Sequence, residues 1–491
     1  MQQSTQHIQG GQSRTPQSGV TTLMVVGFMG VFMMILGMLT SYVFEQAKYG
    51  RALYGREQAL HIAESGLEYY RWFLSHNPGN LTNGTGLAGP YTYTLNDPEG
   101  GALGTASLTV TGATQCGQLQ WIDITSRGVS NLNPSYPRTL YARYMHPSVA
   151  TFSYLLNSSV WAGADRNITG PYFSNGGIRM DGTNNSNVSS AVSTWYCDID
   201  YNCDPTQSTA PGVLGSGSGS ALWQYPVASV DFGAISANFA NLKTYASSNG
   251  GLYFAKASGS VSSRGYHFIF NSDGTVTVKR VSATTAVPSY SDQDGWVLSE
   301  YSIIKTETLV GTYTIPASCS LIFVEDRAWV EGTVKGKVTL VAATPSDAST
   351  APTIYIPNNI TYATNDGTTG LTLMAEDSVL IPLNSPDTMT IRGIFVAQGG
   401  HFGRNFYIYD PDYGSYSVSS TWSSYVVQSQ LTTQGSVVSN LRTGTSWDCG
   451  SGTCSGYQTR VDAYDQLQAT SPPPFTPGST TDYKFVLWRE E

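Results

Sequence analysis

The residues best placed to do chemistry are six cysteines: Cys116, Cys197, Cys203, Cys319, Cys449 and Cys454. Two pairs are local, in CDIDYNC and CGSGTC, with turn-forming residues between them. Neither contains a CxxC step and no histidine lies nearby, so the second half of a zinc site is missing. Short loops closed by disulfides fit instead, Cys197 with Cys203 and Cys449 with Cys454. They imply an oxidising, extracytoplasmic setting. Cys116 and Cys319 stay unassigned, because they fall in stretches read below as different domains. CDIDYNCD also sets Asp198, Asp200, Asn202 and Asp204 at the alternate spacing of a Ca²⁺ loop. It lacks the glycine at the sixth position and the distal bidentate glutamate, so a solvated disulfide loop is preferred over a weak Ca²⁺ site at 198–204.

The other candidates are thinner. His7, His61, His76, His146, His267 and His401 show no ligand spacing, and none sits in sequence beside a serine or cysteine nucleophile. Asp292 and Asp294 in SDQDG, and Asp410 and Asp412 in YDPDYG, read as turns. The glycines of GVLGSGSGSALWQYP satisfy neither GxGxxG nor GxSxG, which leaves a flexible loop. The expectation is therefore a non-enzyme, with no catalytic residue, cofactor or metal ligand.

Composition narrows the class. Charged residues make up 12% of 491, against a usual share of about 25%, while aromatics reach 12% with 31 Tyr. Disordered chains combine high charge with few aromatics, so this is a folded chain decorated with Tyr, Ser and Thr. A net charge of -9 argues against a nucleic-acid partner, which selects a basic face.

The segment from Val20 to Phe44 has no charged residue. At roughly 25 residues it is long enough to cross a bilayer as a helix, longer than the apolar part of a cleaved secretion signal, and not followed by a small-x-small cleavage site. Lys48, Arg51 and Arg56 outnumber Arg14, so the positive-inside rule alone would leave the C-terminal part in the cytoplasm. The cysteine loops and polar β texture point outward. The helical pattern continues past the apolar run until Pro78-Gly79. Leu53, Leu60, Leu67 and Leu74 recur every seven residues, with Ala59, Ala63 and Tyr70 on the same stripe. That stripe either covers its own domain or packs on other subunits.

After the break, YTYTL, ASLTVTG, QWIDITSRG and RTLYARYM alternate apolar and polar residues between Gly, Asn and Pro clusters. Four strands after a long helix make an α+β unit, an antiparallel sheet packed on the helix stripe. From about Pro147 the texture changes. In AWVEGTVKGKVTLVA one face carries Ala328, Val330, Gly332, Val334, Gly336, Val338, Leu340 and Ala342. Trp329, Glu331, Thr333, Lys335, Lys337 and Thr339 fall on the other. TIYIPNNITY, LTLMAEDSVLIPL and MTIRGIFVAQGG follow at rung-like intervals, so the large region is expected to be all-β and solenoid-like, with a β-sandwich as the alternative. In GAISANFANLKTYASSNG, Ile235, Phe239, Leu242 and Ala246 share a helical face, predicting a helical insertion near 233–248. The expected organisation is a leader over 1–19, a transmembrane and amphipathic helix over 20–75, a small sheet over 76–147 and a β domain over 148–491.

A short hydrophilic leader ending in Gly, an apolar helix start and one continuous amphipathic helix resemble the type IV pilin superfamily. ALHIAESGLEYY in particular is similar to the end of that helix in PilX-type minor pilins and bulky tip pseudopilins. ITGPYFSNGGIRMDG, IFVEDRAWVEGTVKGKVTLVAA and the tail RVDAYDQLQATSPPPFTPGSTTDYKFVLWREE resemble the large β domain of PilX-type pilus-assembly proteins. The resemblance implies that a prepilin peptidase cuts between Gly19 and Val20. The apolar helix would hold the precursor in the inner, cytoplasmic membrane and then pack among other pilin subunits in a surface filament. One position departs from the family: Met24 stands where the fifth mature residue is normally Glu, which in the filament core pairs with a neighbour's N-terminal amine. An unpaired carboxylate is costly in a bilayer, so its loss suits a subunit with no neighbour above it, at a tip.

The reading is thus a structural minor pilin displaying a β domain for assembly or adhesion, with a surface or glycan ligand as a further partner. Two alternatives stand beside it: a membrane-anchored β-helix enzyme acting on polysaccharide, and an anchored surface protein that never assembles. Three or more carboxylates converging with arginine in a groove would favour the enzyme.

Overall fold

The computed structural model describes residues 18–235, 238–347, 349–450 and 452–491. The leader expected over 1–19 lies outside the described residues as far as position 17. One helix, α1, runs unbroken over Ser18–His76, 59 residues. Its apolar N-terminal part is long and apolar enough to cross a membrane, and every residue from Gly19 to Arg51 is exposed.

The second half of α1 is buried on its own domain. Four antiparallel strands follow it: β1 (Tyr91–Asn96), β2 (Ala102–Gln115), β3 (Gln118–Ser130) and β4 (Arg138–Met145). The stripe residues Ala59, Ala63, Leu67, Tyr70 and Leu74 are buried against Leu108, Ile122, Ile124, Leu140 and Ala142. Leu53 remains 43% exposed, so the stripe covers the sheet below about Ala59 and leaves the membrane-proximal part free. Each large apolar side chain buried here stabilises by about 1.5–3 kcal/mol. Helix and sheet approach closely because Gly128 has no Cβ: one built there would lie 2.0 Å from the Ala59 carbonyl oxygen.

The sheet has a fifth strand that the domain boundaries above did not foresee. Lys484–Glu490, expected inside the β domain over 148–491, pairs antiparallel with β4 and closes the small sheet. The large domain is therefore inserted between two neighbouring strands of the small one. An isolated terminal heptapeptide carries no sign of which sheet edge it will join, since its partner lies far away in sequence.

In the large domain the main columns are parallel. The longest runs through Leu252–Phe254, Leu321–Val324, Lys337–Ala342, Gly370–Ala375, Thr388–Ala397 and Val427–Ser439. It continues into Tyr154–Leu156, Tyr172–Ser174, Val188–Ser190 and Trp223–Gln224. Two further parallel columns flank it. Ala328, Val330, Val334, Val338, Leu340 and Ala342 all point into the shared interior. The opposite face of that segment differs from expectation. Trp329 and Thr339 are both 0% exposed, because other elements lie over them. Trp329 sits under a long antiparallel hairpin, Thr275–Ser291 with Gly295–Thr314, and its Nε1 donates to Ser302 O at 2.6 Å. Thr339 Oγ1 donates to Pro474 O in the C-terminal tail.

The order along the stack is not the order along the chain. The first coils, from Tyr154 to Gln224, sit beyond the last ones, joined through Val427–Ser439. The chain then returns to the opposite end before adding Leu252–Phe254. The return contains helices Phe232–Ile235 and Phe239–Ser248, close to the expected insertion. Ile235, Phe239, Leu242 and Ala246 all pack on outward-facing residues of the long column, from Leu155 and Val438 to Leu321.

Candidate functional site

The resemblance placed its candidates at the start of α1, and the structure puts Gly19, Val20 and Met24 in its first turns, with Met24 61% exposed. Cys197–Cys203 and Cys449–Cys454 are disulfides, and so is Cys116–Cys319. The last bond joins the β2–β3 turn to the segment leading into Leu321–Val324, so it ties the small sheet to the large domain. Hydrogen bonds surround it: Cys116 N donates to Ser318 O at 2.8 Å, and Ser320 N donates to the side-chain oxygen Gln115 Oε1 at 3.0 Å.

The two local disulfide loops, far apart in sequence, flank the same place. A cleft of about 850 Å³ opens on the large domain, within the size range of small-molecule sites. One wall is the coil turn Gly163–Arg166 with Arg179 and Asp181. Asp200, Tyr201 and Asn202 of the first disulfide loop form the second, and the hairpin turn Tyr290–Gln293 the third. The fourth runs from Leu441 to Asp448 and into the second disulfide loop at Gly452 and Thr453.

These walls are held by ion pairs. Arg460 Nε reaches Asp165 Oδ2 at 2.8 Å, and Arg179 Nε reaches Asp181 Oδ2 at 2.7 Å. Arg442 Nη1 pairs with Asp292 at 2.8 Å and its Nη2 donates to Asp200 O, so one side chain joins the fourth wall to the hairpin turn and the first loop. The Arg442 guanidinium also lies 4.4 Å from the Tyr201 ring centre. Deeper, Arg166 pairs with Asp462 at 2.7 Å, both 6% exposed, and Tyr154 Oη donates to the same carboxylate at 2.6 Å. The hairpin turn is fixed from behind by mutual backbone hydrogen bonds between Tyr290 and Phe406, each 2.9 Å, and by Tyr290 against Trp447.

Electrostatics decide what these carboxylates can do. Burial is the largest single influence on the Asp165 carboxyl and pushes it up, but the hydrogen bond and charge of Arg460 together with the Arg166 charge outweigh it and hold the group below the usual carboxylate range. Asp181 behaves alike: burial is outweighed by Arg179, the Ser216 amide and the Trp161 indole N–H. Both stay ionised acceptors at neutral pH and cannot deliver a proton. Burial holds the His401 imidazole below its ordinary value, so it is neutral there.

The cleft gathers residues that the sequence reading treated separately or passed over. Asp292 belongs to a turn, as SDQDG suggested: Ser291 pairs with Gly295 across the hairpin end. Asp410 likewise caps the short helix Pro411–Tyr416, outside the cleft. Asp198 accepts from Asp200 N at 3.1 Å and so caps a helical turn inside the 198–204 loop. Among the described residues no three His, Cys, Asp or Glu side chains are grouped so as to hold a metal ion. Asp165, Arg166, Arg179, Asp181 and Trp161 went unnoticed. The one available signal was that two short cysteine loops need something to rigidify.

No protein-family model matches the chain, and no curated protein matches it. Among solved structures it is similar to the competence-associated pilin ComZ from Thermus thermophilus. The match has 12% sequence identity, covers 89% of this chain and 97% of that one, and gives a TM-score of 0.28. At that identity and superposition, the likeness carries no weight for fold or role.

Proposed function

We propose that this chain is a structural, non-enzymic minor subunit of a type IV pilus or related filament. In this reading prepilin peptidase processes it between Gly19 and Val20, and it displays its large β domain at the filament tip for assembly or adhesion. The observation that carries the proposal is the division of α1. Its C-terminal half is buried by its own sheet, while Val20–Phe44 is apolar and uncovered. Such a surface is stable only in a bilayer or against other helices of its kind. A helix that needs lipid before assembly and neighbours afterwards satisfies both conditions with one segment. The insertion of the large domain between adjacent strands of the small sheet supports display, because the inserted domain leaves the helix and its exposed half unobstructed.

The test is whether the protein sediments with sheared filaments and whether its mature N-terminus, by intact mass, is Val20. Absence from filaments with an unprocessed N-terminus would leave a plain anchored surface protein.

A second reading, an enzyme acting on polysaccharide, is favoured by the convergence of Asp165, Asp181, Asp292 and Asp462 with arginines in one cleft. Against it, each of those carboxylates is paired with an arginine, and Asp165 and Asp181 are too acidic to protonate a leaving group. A general acid needs the opposite shift. Shortening of oligosaccharides incubated with the protein would reverse this preference.

A further inference from the structure

We propose that the cleft between the two disulfide loops is a binding site for an uncharged, hydroxyl-rich saccharide chain, bound without cleavage. The inference deepens the display reading and rests on it only for where such a chain is met.

Four features of the cleft select that chemistry. The first is its donor and acceptor pattern. A guanidinium has five N–H donors in one plane. Arg460 gives Asp165 its Nε and Nη2 hydrogens, and Arg442 gives Nη1 to Asp292 and Nη2 to the Asp200 carbonyl. Donors remain on each, next to ionised oxygens. Paired planar donors and acceptors suit vicinal hydroxyls, each of which donates and accepts at once.

The second is Trp161. It is half-buried in the cleft wall, and its Nε1 donates to Asp181 Oδ2 at 2.9 Å, which fixes the ring. The other aromatic side chains around the cleft are engaged: Tyr201 with Arg442, and Trp447 with Tyr290 and Phe406. Among the described residues no ring or cation stacks on Trp161. An indole held by its polar edge leaves an apolar face for the C–H face of a pyranose ring.

Charge is the third. Six aspartates and four arginines line the cleft, so its formal balance is negative. That disfavours uronate-bearing polysaccharide and nucleic acid, whose charges would need uncompensated arginines. A peptide is disfavoured too, because the cleft is lined mainly by polar and charged side chains rather than by a row of apolar pockets. The last feature is rigidity. The first disulfide loop and the hairpin turn are tied to the fourth wall by Arg442, so little ordering of those three is left to be done on binding.

The experiment uses the full chain in detergent micelles. Its probes are immobilised neutral oligosaccharides (glucan, galactan and mannan series) beside uronate-bearing ones. At least one neutral series should retain the protein, compete with the same free oligosaccharide, and be recovered at its original length. Trp161→Ala should weaken retention at least tenfold. Ala164→Arg, at an exposed position lining the cleft, should weaken it similarly and guards against misfolding of the first variant. Trp488→Ala, 49% exposed on the small sheet, should bind as wild type. The proposal is overturned if no neutral series is retained, if uronate series are preferred, if the probes are shortened, or if Ala164→Arg binds normally. Binding is read without filaments, so a failure of assembly would not register here. Conversely, Ala164→Arg should still enter filaments if the pilin reading holds.

Discussion

Replacing both Cys116 and Cys319 with serine should destabilise the protein without altering its native contacts. The bond closes a loop with a sequence separation of 203 residues. In the chain-entropy treatment, a loop of that length restricts the unfolded ensemble by about 5 kcal/mol at 25 °C, the upper end of the usual range. The native seam should persist, because Cys116 N still reaches Ser318 O at 2.8 Å and Asn249 Nδ2 still reaches Cys116 O at 2.9 Å. The loss therefore lies in the unfolded state. With an m-value of about 3 kcal/mol/M the urea midpoint should fall by roughly 1.5 M. The assay is equilibrium unfolding of the full chain in micelles, followed by near-UV circular dichroism and by limited proteolysis. Wild type should show the two domains unfolding together, and the variant should let the small sheet and the large domain separate. A midpoint within 0.3 M of wild type (about 1 kcal/mol at that m-value) would refute the reasoning. So would peptide mapping that finds both thiols free.

Other outcomes follow from the same structure. Met24→Glu should give no gain in the ratio of this protein to the major pilin in sheared filaments, since a carboxylate with no amine to meet costs up to about 3 kcal/mol in the bilayer. A clear rise would exclude the tip position. Asp462→Asn should cost about 3–5 kcal/mol in urea unfolding, because it leaves Arg166 buried without its counter-charge, and Arg166→Met with Asp462→Leu should recover much of that loss. Burial lowers the Lys337 ammonium to about 8. The folded state then releases this proton before the unfolded state does, so wild-type stability should rise relative to Lys337→Met between about pH 8 and 10. Parallel pH curves for the two would show that Lys337 is solvated.

Much of the architecture was legible in the chain because it rests on local spacing. The uncharged run from Val20 to Phe44, the stripe through Ala59, Ala63, Leu67 and Tyr70, and the alternation from Ala328 to Ala342 are each written within a few dozen residues. A helix or strand buries whatever lies on one of its faces, so periodicity reports burial directly. The same holds for Cys197 with Cys203 and Cys449 with Cys454, which chain geometry alone brings within reach. Trp329 and Thr339 mark the limit: alternation placed them outside the coil, but not under a hairpin and a tail that arrive from elsewhere.

Only the tertiary structure decided the long-range pairings. Nothing near Tyr154 indicates that it stacks beyond Val437, and nothing near Lys484 that it will close a sheet begun at Tyr91. Parallel strands in one column offer nearly equivalent edges, and the choice among them depends on how all the coils fill a shared interior. Cys116 and Cys319 looked unrelated for that reason, since the inserted domain folds back onto the turn that precedes it. The cleft is the plainest case. Its arginines and aspartates are unremarkable one at a time, and they become a site only when coil turns, a hairpin tip and two disulfide loops meet.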